Sequence, residues 1–97
     1  MVRFVSLFNF TEQGIRAYGE TVARADKFTK EAQKAGAKVA ALFWTVGAHD
    51  GLVVLEAPDE QTATALLLKL GAGGNVRTQT MRAYDRAEME PIVAKTK

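Results

Sequence analysis

Apolar and polar positions along this chain follow two alternating periods. Val2–Phe10 has a period of two: Phe4, Phe8 and Phe10 share one face with Ser6, and Val5 and Leu7 share the other with Arg3 and Asn9. A strand is the natural reading. Thr11 then offers a side-chain oxygen as a helix cap, and Ile15, Tyr18, Val22, Ala25, Phe28, Ala32 and Ala35 recur at spacings of three and four up to Gly36. This predicts one helix of about six turns with a single apolar stripe. Its other face carries Glu12/Arg16, Glu20/Arg24 and Asp26/Lys30, acid-before-base pairs at i,i+4 that each add roughly 0.2–0.5 kcal/mol on a solvated helix. Gly14 and Gly19 lie within it, each serving a close approach of a neighbouring backbone or ligand, or simply tolerated.

The stretch Lys38–Ala57 returns to period two. Two apolar runs flank Gly47-Ala48-His49-Asp50-Gly51 and predict a β-hairpin. In the first run Val39, Ala41 and Phe43 oppose Leu42, Trp44 and Val46; in the second, Leu52 and Val54 oppose Val53 and Leu55. Pro58-Asp59 opens a second helix with Asp59 as its cap, a stripe of Ala63, Leu66, Leu67 and Leu70, and a stop at Gly71–Gly74. Those glycines follow a helix and precede a strand, the reverse of a phosphate-binding loop. Asn75–Tyr84 is a fourth, more polar strand suited to a sheet edge. Asp85-Arg86-Ala87-Glu88 has the spacing of a capping box before a short helix with Met89, Ile92 and Val93, which Pro91 is expected to interrupt.

The order β-α-β-β-α-β with right-handed crossovers places both main helices on one face of a four-stranded antiparallel sheet, a ferredoxin-like α+β arrangement with a short C-terminal helix. The first three strands are apolar on both faces, and the helices cover only one. A second copy of the same sheet, related by a two-fold axis, is the simplest cover, so a homodimer of the dimeric α/β-barrel type is expected.

Composition changes this picture little. Ninety-seven residues, 47% hydrophobic and 25% charged, suit one domain spanning 1–97. The net charge of +2 is spread along the chain, without the clustered basic face that nucleic acid requires. There is no cysteine, no signal-peptide pattern and no apolar run of membrane-spanning length, so a cytoplasmic protein is expected, with no membrane partner.

His49 is the single histidine and the one side chain that ordinarily titrates near neutrality. It reads as an exposed turn residue or as a base or haem ligand at a pocket mouth. Asp50, pointing the opposite way, reads as a ligand for turn amides. With no second His or Cys and no carboxylate cluster at ligand spacing, neither a metal site nor a cofactor is expected. Asn9, Thr45, Arg77, Thr78 and Thr80 are the polar residues within the strand pattern. They either converge with Trp44 and Tyr18 on a cavity between sheet and helices, or serve as ordinary edge-strand and surface residues.

Three segments, LFNFTEQGI at Leu7–Ile15, LFWTVGAHDGLVVLEAPD at Leu42–Asp59 and GNVRTQTMRAY at Gly74–Tyr84, together resemble the GYD-domain family over nearly the whole chain. At the family's Gly-Tyr-Asp signature this chain has Gly47-Ala48-His49-Asp50, with His49 at the Tyr position and Asp50 at the Asp position. The resemblance implies the dimeric α/β-barrel fold. It implies little about activity, because that superfamily holds cofactor-free monooxygenases, haem-degrading enzymes, isomerases and ligand-sensing domains. Three readings follow. One is a binding or sensing module for a small apolar or aromatic ligand. Another is a cofactor-free oxygenase- or isomerase-like enzyme using His49. The last is an oligomerisation module.

Overall fold

The computed structural model describes all 97 residues, Met1–Lys97. Four strands, β1 (Val2–Phe10), β2 (Lys38–Trp44), β3 (Gly51–Ala57) and β4 (Val76–Ala83), form one sheet in the order β2-β3-β1-β4. Every neighbouring pair is antiparallel. The helices are α1 (Glu12–Arg16), α2 (Thr21–Lys34), α3 (Glu60–Ala72) and α4 (Arg86–Ala94). The ferredoxin-like α+β arrangement is therefore the observed fold, with the polar β4 at one edge and β2 at the other.

The expected caps are in place. Thr11 accepts from the Gly14 amide, Asp59 from the Thr62 amide, and Asp85 and Glu88 form the full capping box. Pro91 does not break α4, which runs on to Ala94. Pro91 removes one helical donor, and on so exposed a helix the freed carbonyl of Ala87 turns to water at little cost. The second helix also outruns its expected stop, ending at Ala72, with the left-handed turn supplied by Gly74 at φ 81°.

The predicted six-turn helix is instead three pieces. α1 ends at Arg16 with Ala17 as its C-cap, a 3₁₀ turn covers Tyr18–Glu20, and α2 starts afresh at Thr21. Periodicity hid the break because the apolar spacing runs through it. The cause lies elsewhere in the chain: Gly14 is buried against the Asn75 backbone, while Thr11 bonds to the carbonyls of Gly74 (Oγ1, 2.5 Å) and Asn75 (N, 3.1 Å). This docks α1 on the start of β4. Arg24 fills the joint, donating to the carbonyls of Ala17 at 3.2 Å and Gly14 at 3.3 Å, groups the broken helix leaves free. The expected Glu20/Arg24 pair is therefore not made, and Asp26/Lys30 is not made either. Glu12/Arg16 is.

A bulge between Val39 and Ala41 shifts the faces of β2. Val39 pairs with Leu55, Leu42 with Val53 and Trp44 with Gly51, so these three share the helix side, while Ala41 and Phe43 face away. Grouping Val39 with Ala41 and Phe43 was wrong because the extra residue, Ala40, resets the alternation. The core is thin: Phe8, Phe28, Ala32, Ala37, Val53, Leu55, Ala57, Ala63 and Leu66 lie between the sheet and α2/α3.

The far face of the sheet carries no helix. Register places Val5, Leu7, Ala41, Phe43, Leu52, Val54 and Met81 there, with Phe43 59% and Met81 49% exposed. Arg3 closes one end, bonded to Glu56 at 3.2 Å and to Glu88 at the start of α4 at 2.6 Å. The Glu88 hydrogen bond, reinforced by the neighbouring acids, holds the Arg3 guanidinium above its ordinary pKa. Beyond that anchor α4 makes few contacts and leaves Met89, Ile92 and Val93 exposed.

Candidate functional site

The residues singled out from the sequence do not converge on one cavity. Asn9 meets Thr45, His49 and Asp50 at the hairpin loop, and the others are scattered. Asn9 and Arg77, paired across β1 and β4, lie on the open sheet face. Tyr18 sits on the 3₁₀ turn, 68% exposed. Thr78 and Thr80 lie on the helix side near the β4 edge, and Trp44 on the same side at the β2 edge. Strand register decides the faces, and the two strands β3 and β1 that lie between β2 and β4 keep Trp44 apart from Thr78 and Thr80.

Thr45, His49 and Asp50 belong to the hairpin loop, which spans residues 45–50 because Gly51 already pairs within β3. The loop folds back along the end of β1. The Asp50 amide donates to the Phe8 carbonyl at 2.9 Å, and the Asp50 carboxylate accepts from the Phe10 amide at 2.8 Å. Asp50 thus caps a strand amide, not a turn amide as expected. Asn9 Nδ2 donates to the Ala48 carbonyl at 2.9 Å, and Asn9 Oδ1 lies 3.0 Å from His49 Nδ1. Thr45 donates to the His49 carbonyl at 2.6 Å. His49 is half-buried rather than the exposed turn residue expected. With Asn9 Oδ1 as acceptor, its Nδ1 carries the proton. No acid pairs with the ring, and His49 lines neither of the recesses described next.

The first recess lies beneath the N-terminal half of α2. Phe8, Phe28, Leu42, Trp44, Val53, Leu70 and Val76 wall a cavity of about 70 Å³. Thr21, Arg24 and Asn75 line it too, and each is engaged: Thr21 Oγ1 accepts from Trp44 Nε1 at 3.0 Å, Arg24 caps the α1 carbonyls, and Asn75 Oδ1 accepts from Gln13 Nε2 at 3.0 Å. What remains available to a ligand is mainly apolar surface beside a tethered indole. Gly51 makes room there, since a Cβ at that position falls onto the Phe8 ring. The second recess is an open groove of about 410 Å³ between α3 and β4, lined by Phe4, Leu67, Leu68, Thr78, Thr80 and Arg82 among others. The sequence reading passed over Arg82. The signal was a basic residue in the Thr78/Thr80 alternation, and it needed the strand's register to be read.

The fold and these recesses define a small ferredoxin-like α+β domain with ligand-sized openings on its helix side and an uncovered apolar sheet on the other. The chain belongs to the GYD domain family, whose model matches residues 4–93. It is 28% identical over 90 residues to a Thermus thermophilus protein named glutamine synthetase and cystathionine beta-lyase binding protein, with 92% of this chain and 95% of that protein covered. The crystal structure of MtbAldR matches with a TM-score of 0.64 at 14% identity, over 88% of this chain and 53% of that one. The chain thus spans about half of the MtbAldR chain, and the likeness is one of fold. No helix is long and apolar enough to cross a membrane.

Proposed function

We propose that this protein is a homodimeric binding module that holds a small apolar or aromatic group in the cavity beneath α2. The cavity carries the reading: seven apolar side chains from six elements surround it, and Thr21 and Arg24 at its rim are already engaged. Such a lining selects by size and hydrophobicity. At about 70 Å³ it takes a ring or short branched chain, with any larger part of the ligand lying outside past Trp44.

The dimer is supported by surface bookkeeping. A compact monomer of 10.5 kDa exposes about 5,400 Å², whereas this protomer exposes 6508 Å². Its radius of gyration is 14.6 Å against about 12.5 Å for a compact chain of this length. The excess resembles one partner's share of a stable interface, about 800 Å². Sheet-to-sheet pairing through Phe43, Leu52, Val54 and Met81 removes it.

Trp44 is the sole tryptophan and reports the cavity directly. Titration with benzene or toluene should shift its emission in a saturable way, and Val76→Phe, which fills the cavity and adds no tryptophan, should abolish the response. No response in the parent protein, or the same response in the filled variant, refutes the reading.

A second reading takes its support from the Thermus relative's name and from Ile15, Tyr18 and Val22, which stand 49%, 68% and 58% exposed along one side of the α1–α2 break. In that reading the module docks on a larger enzyme. Co-sedimentation with a purified glutamine synthetase, lost on Tyr18→Glu, supports it; no co-sedimentation at micromolar concentration removes it.

A further inference from the structure

We infer that the groove between α3 and β4 is a second ligand site, built for a small amphipathic carboxylate and centred on Arg82. It is independent of the cavity beneath α2, which lies on the other flank of the helix layer. Arg82 is half-buried, and its guanidinium stands 5.6 Å from the Phe4 ring centroid and 4.5 Å from that of Tyr84. Nη1 donates to the carbonyls of Arg3 at 3.1 Å and Ala83 at 2.8 Å. These contacts fix the group but neutralise none of its charge. Seven ion pairs stand elsewhere in the molecule, and Arg82 takes part in none of them. Nε and Nη2 donate to no protein group.

A guanidinium held by one nitrogen and two aromatic faces keeps one edge for a partner. That edge, Nε with Nη2, matches a planar carboxylate with two parallel hydrogen bonds. Thr78, on the same side of β4 and also lining the groove, has a hydroxyl with no protein partner. The opposite wall is hydrocarbon: Leu67 and Leu68, the latter 70% exposed. A bare inorganic anion leaves that wall wet, whereas a carboxylate with a branched aliphatic tail covers it. The groove's roughly 410 Å³ suits a ligand of that kind, since small-molecule sites usually span about 300–1,000 Å³. Pre-fixing Arg82 lowers the entropy cost of binding, so the site needs no rearrangement to work.

The test uses isotope-labelled protein titrated with 4-methylpentanoate, 4-methylpentanamide and inorganic phosphate, following the backbone amides of Leu67, Leu68, Thr78 and Arg82 and the Arg82 Nε–H resonance. The carboxylate should give saturable shifts confined to these residues, and the amide should bind at least tenfold more weakly. Arg82→Gln should lose tenfold or more, while Arg77→Gln, on the opposite face of the same strand, should bind as the parent does. Leu68→Asp, at an exposed position the fold does not depend on, should also weaken binding several-fold by placing a like charge beside the ligand. Absence of saturable shifts with the carboxylate overturns the inference. So does equal binding of the amide, binding of phosphate as tight as that of the carboxylate, or indifference to Leu68→Asp.

Discussion

Replacing Gly14 by alanine sets two effects of opposite sign against each other. In an unencumbered helix, alanine is favoured over glycine by about 1 kcal/mol. In α1, however, an added Cβ lies well inside contact of the Asn75 carbonyl oxygen and 2.8 and 3.0 Å from the Asn75 carbonyl carbon and Cα. That obstacle is backbone and cannot rotate away. If α1 stays, the overpacking costs about 1–3 kcal/mol. If it slides off, the bonds from Thr11 to Gly74 and Asn75 are lost at about 1 kcal/mol each, together with two exposed bonds from Gln13 to Gly73 and Asn75. Because the obstacle is backbone, the cost lies toward the upper end of that range; less the propensity gain, the net expectation is a loss of about 1–2 kcal/mol. For a chain of this size that lowers the melting temperature by roughly 5–15 °C. Gly71→Ala is the matched control, because it lies inside α3 with no atom within 4 Å of its added Cβ. It should gain about 0.5–1 kcal/mol. Thermal and urea unfolding followed by far-UV circular dichroism at one fixed protein concentration measures both. A Gly14→Ala protein as stable as the parent, or changes of the same sign at both positions, refutes the argument that the joint with Asn75 breaks the helix.

Phe43→Arg puts a charge on the open sheet face, at the exposed β2 edge, without touching the core, so sedimentation at micromolar concentration should show a dimeric parent and a monomeric variant; a monomeric parent removes the dimer altogether. Arg3→Met leaves Glu56, Asp85 and Glu88 facing one another without their shared cation, so the α4 amides should exchange with solvent faster while those of β1 and β3 hold, and unchanged α4 protection contradicts the anchoring role. Asp59 is held below its ordinary pKa by the Thr62 amide it accepts from. Its contribution to stability is therefore full above the ordinary carboxylate pKa of about 4 and is lost as pH falls through the lower folded value. Asp59→Asn, which keeps a cap but does not titrate, should flatten that part of the acid-unfolding profile; an unaltered profile shows that the cap is not what titrates there.

Much of the architecture could be read before any coordinates. The strands announce themselves by period two, the helices by Thr11, Asp59 and Asp85 at their starts, and the antiparallel βαββαβ order by the length of the segments between. These are local properties: a cap or an alternation needs only its neighbours in sequence. The candidate site was less legible. Thr78 and Trp44 line recesses on the helix side, yet different ones, and Asn9, Thr45, His49 and Asp50 turned out to knit the hairpin loop to β1.

What the tertiary structure alone decided involves partners far apart in sequence. The break between α1 and α2 comes from Gly14 meeting Asn75, and no window around residue 17 contains that contact. The faces of β2 depend on one bulged residue, Ala40, whose extra length shows only against β3. Arg82 looks like any surface arginine until β4 is set beside β1 and its guanidinium is found between Phe4 and Tyr84 with no acid to meet it. Sequence patterning could say which residues seek cover; pairing register and element contacts, which are long-range, decided which of them obtain it and which are left open to a ligand or a second copy.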